Sequence, residues 1–209
     1  MSNDSNRRPI AARASGWARS LSAALARSSI TPNQISVLSI VFAALGAWLL
    51  WRATPLALVG AAACIQLRLV CNLLDGMVAM EGGRKTPTGA LYNEFPDRIA
   101  DSLLIVAAGY ACGAPWLGWL GALAAALTAY VRLAGGSLGL PQDFRGPMAQ
   151  QHRMAVLTLA CLLGAAELAF AQTGWALRVA AWVIAVGALL TCITRSRAIA
   201  TALHARDGA

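Results

Sequence analysis

The chain has 209 residues, of which 58% are hydrophobic and 12% charged, and its formal net charge is +8. A soluble domain averages about 25% charged residues, so this composition excludes an ordinary soluble surface and favours an all-α integral membrane protein of one compact domain. Nucleic-acid binding would also account for the positive charge. The arginines cluster near the ends of apolar segments, however, as positive-inside topology requires, and we expect no nucleic-acid partner.

The first 30 residues form a predicted cytoplasmic arm. Residues 1–8 are polar and are expected to be disordered. In residues 9–28 apolar side chains recur at helical spacing among arginines, which favours an amphipathic helix lying on the membrane surface. These apolar residues are Ile10, Trp17, Leu21 and Leu25. A solvated basic arm without membrane contact is the alternative.

Six apolar stretches follow, each near the roughly 20 residues needed to cross a bilayer. Thr31, Pro32 and Gln34 precede the first and match a capping box with proline at the first helical position. The expected spans are 35–51, 56–76, 91–111, 115–135, 154–171 and 175–194. They lie in a membrane domain of residues 31–196, which a cytoplasmic tail of residues 197–209 follows.

Basic residues predict the orientation of these spans. Five arginines precede the first span, and others lie in the loops after spans two and four and in the tail. The connections on the opposite side hold only Arg52, with Arg178 just inside span six. Both termini are therefore expected in the cytoplasm, in a bacterial-type inner membrane.

Acids and amides gather inside the apolar sequence between Asn72 and Asp101. Asn72 and Asp75 are three apart at the end of span two, whereas Asn93, Asp97 and Asp101 are four apart at the start of span three. Each set therefore shares a helix face. Ionisable residues are costly within a bilayer, so the cluster indicates a functional site, and its oxygen ligands suit Mg²⁺ or Mn²⁺. Helix capping, or pairing of a carboxylate with a nearby arginine, is the alternative.

This stretch resembles the central motif of the CDP-alcohol phosphotransferases, D-x2-D-G-x2-A-R, then an interval, then G-x3-D-x3-D. The counterpart here is Asn72-x2-Asp75-Gly76-x2-Ala79-Met80, then Gly89-x3-Asn93-x3-Asp97. The T-P-N-Q before span one, Tyr130-Val131-Arg132 in span four and Arg153 at span five are also similar. The resemblance covers nearly the whole chain. It implies six spans preceded by an amphipathic helix, a cytoplasmic active site and a homodimer.

The resemblance also implies a reaction and a set of roles. A phosphatidyl group would pass from CDP-diacylglycerol or a similar CDP-alcohol to a hydroxyl acceptor, with release of CMP, in phospholipid biosynthesis. The metal-ligand positions are occupied by Asn72, Asp75, Asn93 and Asp97, and Asp97 also holds the position of the general base. Residues expected around the nucleotide and substrate are Gly76, Ala79 and Gly89.

Basic residues on the predicted cytoplasmic side are candidates for binding substrate phosphates. They are Lys85, Arg132 and Arg153, with topology and anionic-lipid contact as the alternative. Arg68 lies one turn before Asn72 and is expected to pair with an acidic site residue.

Two family aspartates are replaced here by neutral amides, Asn72 and Asn93, and the loss of both charges should weaken the binding of two divalent ions. Three interpretations stay open. The site could hold one metal, or bind metals only with substrate. Asp101, or less favourably Glu94, could supply the missing charge. The protein could instead be a catalytically weakened relative that binds lipid or CDP-nucleotide.

Overall fold

The computed structural model describes residues 15–81, 83, 87–171 and 173–207. Within these ranges the chain forms seven α-helices and no β-strand. The helices are α1 Gly16–Arg27, α2 Pro32–Arg52, α3 Pro55–Glu81, α4 Gly89–Ala111, α5 Pro115–Ser137, α6 Gln150–Phe170 and α7 Trp175–Asp207. The expected disorder of residues 1–8, the amphipathic position Ile10 and the candidate Lys85 lie outside the described residues.

Helices α2 to α7 close into a ring around one apolar core. Helix α2 packs between α3 and α4, α5 packs between α4 and α7, and α6 joins α7 back to α3. Buried alanine, leucine and isoleucine side chains from all six helices fill the interior. Helices α3 and α4 are consecutive in the chain, yet they flank α2 and face each other across the ring.

The contact between α4 and α5 shows why small residues are needed in this core. A Cβ atom at Gly109 would lie 2.5 Å from the Cα atom of Gly118, which is closer than side-chain atoms approach a backbone. The two glycines therefore allow the helix backbones to touch, as small residues commonly do between membrane helices. This contact lies near the ends of α4 and α5 joined by Cys112, Gly113 and Ala114.

Five helices of the described chain are long and apolar enough to cross a membrane: α2, α3, α5, α6 and α7. Helix α4 has 23 residues but carries four charged residues, so its composition does not mark it as a span. It nevertheless packs between α2 and α5 within the ring. Large apolar side chains such as Leu123, Leu163 and Val186 are exposed on the outside, as expected of a protein embedded in lipid.

The N-terminal elements follow the sequence pattern closely. Thr31 and Gln34 form the predicted capping box at the start of α2, with Pro32 in its first turn. Helix α1 buries Ala18 and Ser22, with Ala18 against α3, and leaves Trp17 and Leu21 exposed on its other side. The small residues thus face the protein and Trp17 and Leu21 face outwards, as the interfacial-helix expectation requires, whereas Leu25 packs against α2 and α3.

The last helix differs from its predicted end. Span six was expected to end at residue 194, but α7 continues to Asp207. A helix of 33 residues is about 50 Å long, whereas the hydrocarbon core is about 30 Å thick. The polar end of α7 therefore extends beyond the bilayer as a helix, a length that the hydropathy of its first half does not indicate.

Candidate active site

Asp75, near the end of α3, is positioned by Ser36 of α2, which the sequence did not indicate as a site residue. Its side chain is buried, and its Oδ2 accepts a hydrogen bond of 2.6 Å from the Ser36 hydroxyl of α2. The capping box fixes the start of α2 and so sets the position of Ser36 one turn later. The first span holds two serines, Ser36 and Ser39, and the sequence indicates neither which of them contacts a site residue nor the partner helix.

Asp97, in the first half of α4, lies among nitrogen donors. Its Oδ1 accepts from Arg68 Nη2 at 3.1 Å and from the Asn72 side-chain amide. Its Oδ2 lies 3.6 Å from Arg98 Nη2. The expectation that Arg68 pairs with an acidic site residue is confirmed. Because the Asn72 amide nitrogen faces Asp97, its carbonyl oxygen is directed away from that carboxylate.

Asp101 joins this group to the far side of the ring. It lies 2.8 Å from Arg68 Nη2 through one oxygen and 2.7 Å from Arg153 Nη2 through the other. Arg153 also donates to the Met148 carbonyl at 2.7 Å, which fixes the guanidinium. All three side chains are almost fully buried, and burial of this kind requires such pairing. The acid proposed as a compensating ligand is therefore engaged by two arginines.

A basic cavity of about 140 Å³ opens beside this network, between α4, α5, α6 and α7. Its lining includes Arg98, Arg132, Arg153, Arg195 and His152. The expected substrate-binding arginines Arg132 and Arg153 thus lie in one cavity. Arg195 directly follows span six in the sequence, and no spacing rule connects it to residues so distant in the chain, so its place in this cavity was not predicted.

The arginines of this cavity have different partners. Arg132 donates to both oxygens of Glu94 at 2.6 Å and lies 5.1 Å from the centre of the Phe144 ring. Arg195 instead donates to two backbone carbonyls, those of Arg145 at 2.8 Å and Thr128 at 2.6 Å. A carbonyl orients a guanidinium without cancelling its charge, so Arg195 keeps its positive charge available to an anion.

The loop before α6 is anchored to α7 at one point. Gly146 has a φ of 130°, and a Cβ atom there would lie 2.4 Å from Thr191 Cγ2. The next buried residue, Met148, donates its backbone N–H to the Thr191 hydroxyl at 2.9 Å. In the same loop Arg145 donates to Asp143, which holds the pKa of that carboxyl below its ordinary value. This anchoring sets the carbonyls that orient Arg153 and Arg195.

The remaining predicted site residues take varied positions. Asn93 is exposed on α4, whereas Asn72 is half-buried and contacts Asp97. Gly76 and Ala79 are half-buried on α3, and Gly89 begins α4. Glu94, the weaker candidate for a compensating charge, pairs with Arg132.

A divalent cation can be tested against this donor set. Among the described residues no three His, Cys, Asp or Glu side chains lie together as a ready metal centre. Asp97 and Asp101 already contact arginines, and Asn93 is exposed. Asp75, whose Oδ2 accepts from Ser36, and the carbonyl oxygen of Asn72 are oxygen ligands of the type that Mg²⁺ prefers, and water or substrate phosphate would complete the coordination. The residues therefore fit one cation and do not fit two.

An apolar groove of about 870 Å³ runs along the outside of α2, α4 and α5. Trp48, Leu103, Tyr110 and Trp119 line it, and Arg98 stands at one end. Arg98 also lines the basic cavity, so one side chain connects the two spaces. From Arg98 to Tyr110 the groove follows about 18 Å of α4, comparable to a lipid acyl chain.

The family described as CDP-alcohol phosphatidyltransferase matches residues 29–193 of the chain. The bifunctional IPC transferase and DIPP synthase of Rubrobacter xylanophilus is 38% identical over 159 residues, which are 69% of this chain and 34% of that protein. The chain thus spans about a third of that relative. The phosphatidylinositol phosphate synthase of Mycolicibacterium smegmatis is 25% identical over 196 residues, covering 90% of this chain and 86% of the relative.

Solved structures share the fold. The phosphatidylinositol phosphate synthase of Mycobacterium tuberculosis with CDP-DAG bound gives a TM-score of 0.73 at 21% identity, over 87% of this chain and 92% of that one. The same enzyme in complex with manganese and citrate gives 0.74 at 22% identity, over 88% and 89%.

Proposed function

Because the chain belongs to the CDP-alcohol phosphatidyltransferase family, we propose that it transfers a phosphatidyl group from CDP-diacylglycerol to a phosphorylated polyol and releases CMP. The chain is an integral membrane transferase, and transfer from a CDP-alcohol is the general reaction of its family. The mycobacterial relatives are phosphatidylinositol phosphate synthases, so inositol phosphate is the first acceptor that we propose.

The basic cavity is the observation that carries the choice of a phosphorylated acceptor. Arg195 is oriented by two backbone carbonyls, at 2.8 and 2.6 Å, whereas Arg132 and Arg153, which line the same cavity, also contact carboxylates. Arginine is well suited to bind phosphate, because its planar donors match phosphate oxygens in pairs. Serine or an unphosphorylated alcohol would offer no phosphate group to the positive charge of Arg195. A phosphate group would offset it.

The CDP-lipid is proposed to bind where the acids meet the apolar groove. Asp75 and Asn72 would hold one Mg²⁺ or Mn²⁺ together with the pyrophosphate, and the manganese-bound structure of the tuberculosis enzyme supports a divalent cofactor. Such an ion polarises phosphoryl oxygens and offsets charge on the leaving CMP. The groove next to Arg98 would accommodate an acyl chain and allow the lipid to approach laterally from the membrane.

Asp97 is proposed as the general base that accepts the proton of the acceptor hydroxyl. Arg68 and Asn72 contact its Oδ1, which fixes the rotation of the carboxylate and directs Oδ2 towards Arg98. Arg98 lines the basic cavity, so Oδ2 lies on the side where the acceptor would bind. A base must reach the proton that it removes, and this geometry favours Oδ2.

Assembly and orientation are part of the proposal. We propose a homodimer in a bacterial inner membrane, with both termini and the active site in the cytoplasm. Residues 31–196 would form the transferase domain, after an interfacial arm of residues 1–30 and before a tail of residues 197–209. Reporter fusions at residue 113 and at residue 209 test the topology: residue 113 found inside, or residue 209 outside, contradicts it.

The experiment that tests the proposed function measures CMP release from CDP-diacylglycerol by the purified full-length chain with Mg²⁺. The acceptors are inositol 1-phosphate, glycerol 3-phosphate, inositol, glycerol and serine. We expect release with a phosphorylated acceptor and none above background with its unphosphorylated partner. Equal rates with inositol and inositol phosphate would contradict the assignment of the basic cavity.

The variant Asp97→Asn supplies the internal control, because an amide has nearly the same shape but cannot accept the proton. Turnover should be lost, while CDP and Mn²⁺ still bind. If the unchanged chain binds CDP and Mn²⁺ but releases no CMP with any of these acceptors, it is a weakened relative that retains nucleotide binding, and the proposed reaction is wrong.

A further inference from the structure

Arg68 occupies an unusual place for an arginine. It lies at the middle of α3, its side chain is fully buried, and every neighbour within three residues in the chain is apolar except Gln66. A charged side chain at such a depth is costly unless it is paired, and in membrane helices such residues mark functional sites.

The contacts of Arg68 resemble those of a bound cation. One nitrogen, Nη2, lies 3.1 Å from Asp97 Oδ1 and 2.8 Å from Asp101 Oδ1, and it also contacts the Asp97 backbone carbonyl at 3.3 Å. A single positive centre thus bridges two carboxylates one helical turn apart. Asn72 donates to the same oxygen of Asp97 that Arg68 contacts.

The carboxylates of this bridge are already more than neutralised by arginines. Asp97 and Asp101 carry two negative charges, and Arg68, Arg98 and Arg153 carry three positive ones. A divalent ion placed on Asp97 would add two positive charges within contact distance of Arg68, where they would repel its guanidinium. The neutral amide at position 72 agrees with this arrangement, because it adds no negative charge beside Asp97.

We propose that Arg68 is a built-in cation that takes the place of a second divalent ion. The active site of each chain then binds one ion, at Asp75, in the presence of the CDP group. Arg68 is then a positioning residue, which orients Asp97 and supplies positive charge beside it. This inference rests on the proposed function for the identity of the nucleotide. The number of bound ions can nevertheless be measured without turnover.

The test counts Mn²⁺ ions per full-length chain in the presence of CDP, by calorimetry and by electron paramagnetic resonance, which detects a spin-coupled pair of ions. The unchanged chain should bind one Mn²⁺ with an uncoupled spectrum. The variant Asn72→Asp with Asn93→Asp should still bind one, because Arg68 remains. Adding Arg68→Met to those two substitutions should admit a second Mn²⁺ and produce the coupled spectrum.

Two further variants separate this role from a purely structural one. Arg68→Lys keeps the charge and should bind one Mn²⁺, whereas Arg178→Met removes an arginine that contacts the Cys112 carbonyl, outside the site, and should leave the count at one. If Arg68→Met lowers the melting temperature but the triple variant still binds one ion, Arg68 is structural and the inference is wrong.

The inference can also fail without any Arg68 variant. Two Mn²⁺ in the unchanged chain, a coupled pair in Asn72→Asp with Asn93→Asp, or CDP binding with no Mn²⁺ would each overturn it. Absence of CMP release from a chain that binds one Mn²⁺ contradicts the proposed function instead, so the two failures can be distinguished.

Discussion

The two sides of the site use buried arginines in opposite ways. Between α3 and α4, Arg68 contacts carboxylates, and charge is cancelled within the protein. Between α5 and α7, Arg195 contacts backbone carbonyls, and its charge is oriented but not cancelled. The residue type is the same, and the partner decides the outcome. A carboxylate partner neutralises the charge of the arginine, whereas a carbonyl partner leaves that charge available to a ligand.

In the proposed reaction this difference would separate the two substrates. The acid side would offer Asp75 and an amide oxygen to one cation and its pyrophosphate, whereas the basic side would offer Arg195 to a phosphate. Asp97 and Arg98 lie between the two regions, where the transferred phosphoryl group would meet the acceptor. Substitutions on either side should therefore affect different measurable steps.

The largest effect is expected on the acid side. Asp75→Asn removes the carboxylate assigned to the cation, so Mn²⁺ binding with CDP should be lost and turnover should fall about 100- to 1,000-fold. Calorimetry with Mn²⁺ and CDP and the CMP-release assay measure the two effects. Glu167→Gln, which removes a carboxylate that accepts from the Ala176 backbone N–H near the C-terminal end of α6, is the matched control and should leave both unchanged. Undiminished Mn²⁺ binding by Asp75→Asn would place the cation elsewhere.

On the basic side, Arg195→Gln should raise the KM for the phosphorylated acceptor about 100-fold, because a buried charge-assisted contact is lost. Binding of CDP and Mn²⁺ should change little, since that arginine lies across the ring from Asp75. The control is Arg197→Gln, which removes an exposed arginine from the same helix. A loss of CDP affinity equal to the loss of acceptor affinity would remove the distinction between the two regions.

A smaller effect is expected where the loop meets α7. Gly146→Ala places a Cβ atom against Thr191 at a φ that favours glycine, and it should lower the free energy of unfolding by about 2 kcal/mol. Thermal unfolding in detergent measures the change. Gly174→Ala is the control, because no atom lies within 4 Å of its added Cβ. Equal melting temperatures for the two variants would show that the loop accommodates the added Cβ atom without a loss of stability.

The smallest effect concerns the Asp143–Arg145 pair in that loop. Its hydrogen bond lowers the pKa of Asp143 in the folded protein, so its contribution to stability is present above the ordinary carboxyl pKa of about 4 and is lost as pH falls through the lower folded value. The difference in melting temperature between the unchanged chain and Asp143→Asn should thus be constant near neutral pH and vanish in acid. A difference in melting temperature that grows as the pH falls would contradict a lowered pKa of Asp143 in the folded protein.

Local patterns allowed much of the architecture to be predicted. The capping box at Thr31 and the shared face of Asp97 and Asp101 each depend on residues within a turn or two. The composition likewise indicated a helical membrane protein correctly. The end of α7 was missed because hydropathy records where a helix leaves lipid, not where its backbone hydrogen bonds stop.

The partners across the ring could not be predicted in the same way. Ser36 reaches Asp75 over 39 positions, and Arg195 reaches Thr128 over 67. No periodicity connects residues so far apart, because their distance depends on the order in which the helices pack. Asn93 shows the converse. Its spacing matches the motif, yet its side chain is exposed.

The position of Arg68 at mid-helix has a consequence for how the chain is made. Helix α3 leaves the ribosome before α4, so Arg68 enters the membrane before its partners Asp97 and Asp101 have been made. An unpaired arginine at the centre of a membrane helix costs about 2.5 to 3.5 kcal/mol. We expect the translocation machinery to release α3 and α4 into the bilayer as a pair. In a glycosylation-mapping assay, chains truncated after residue 81 should insert α3 less completely than chains truncated after residue 111, and Arg68→Leu should abolish that difference.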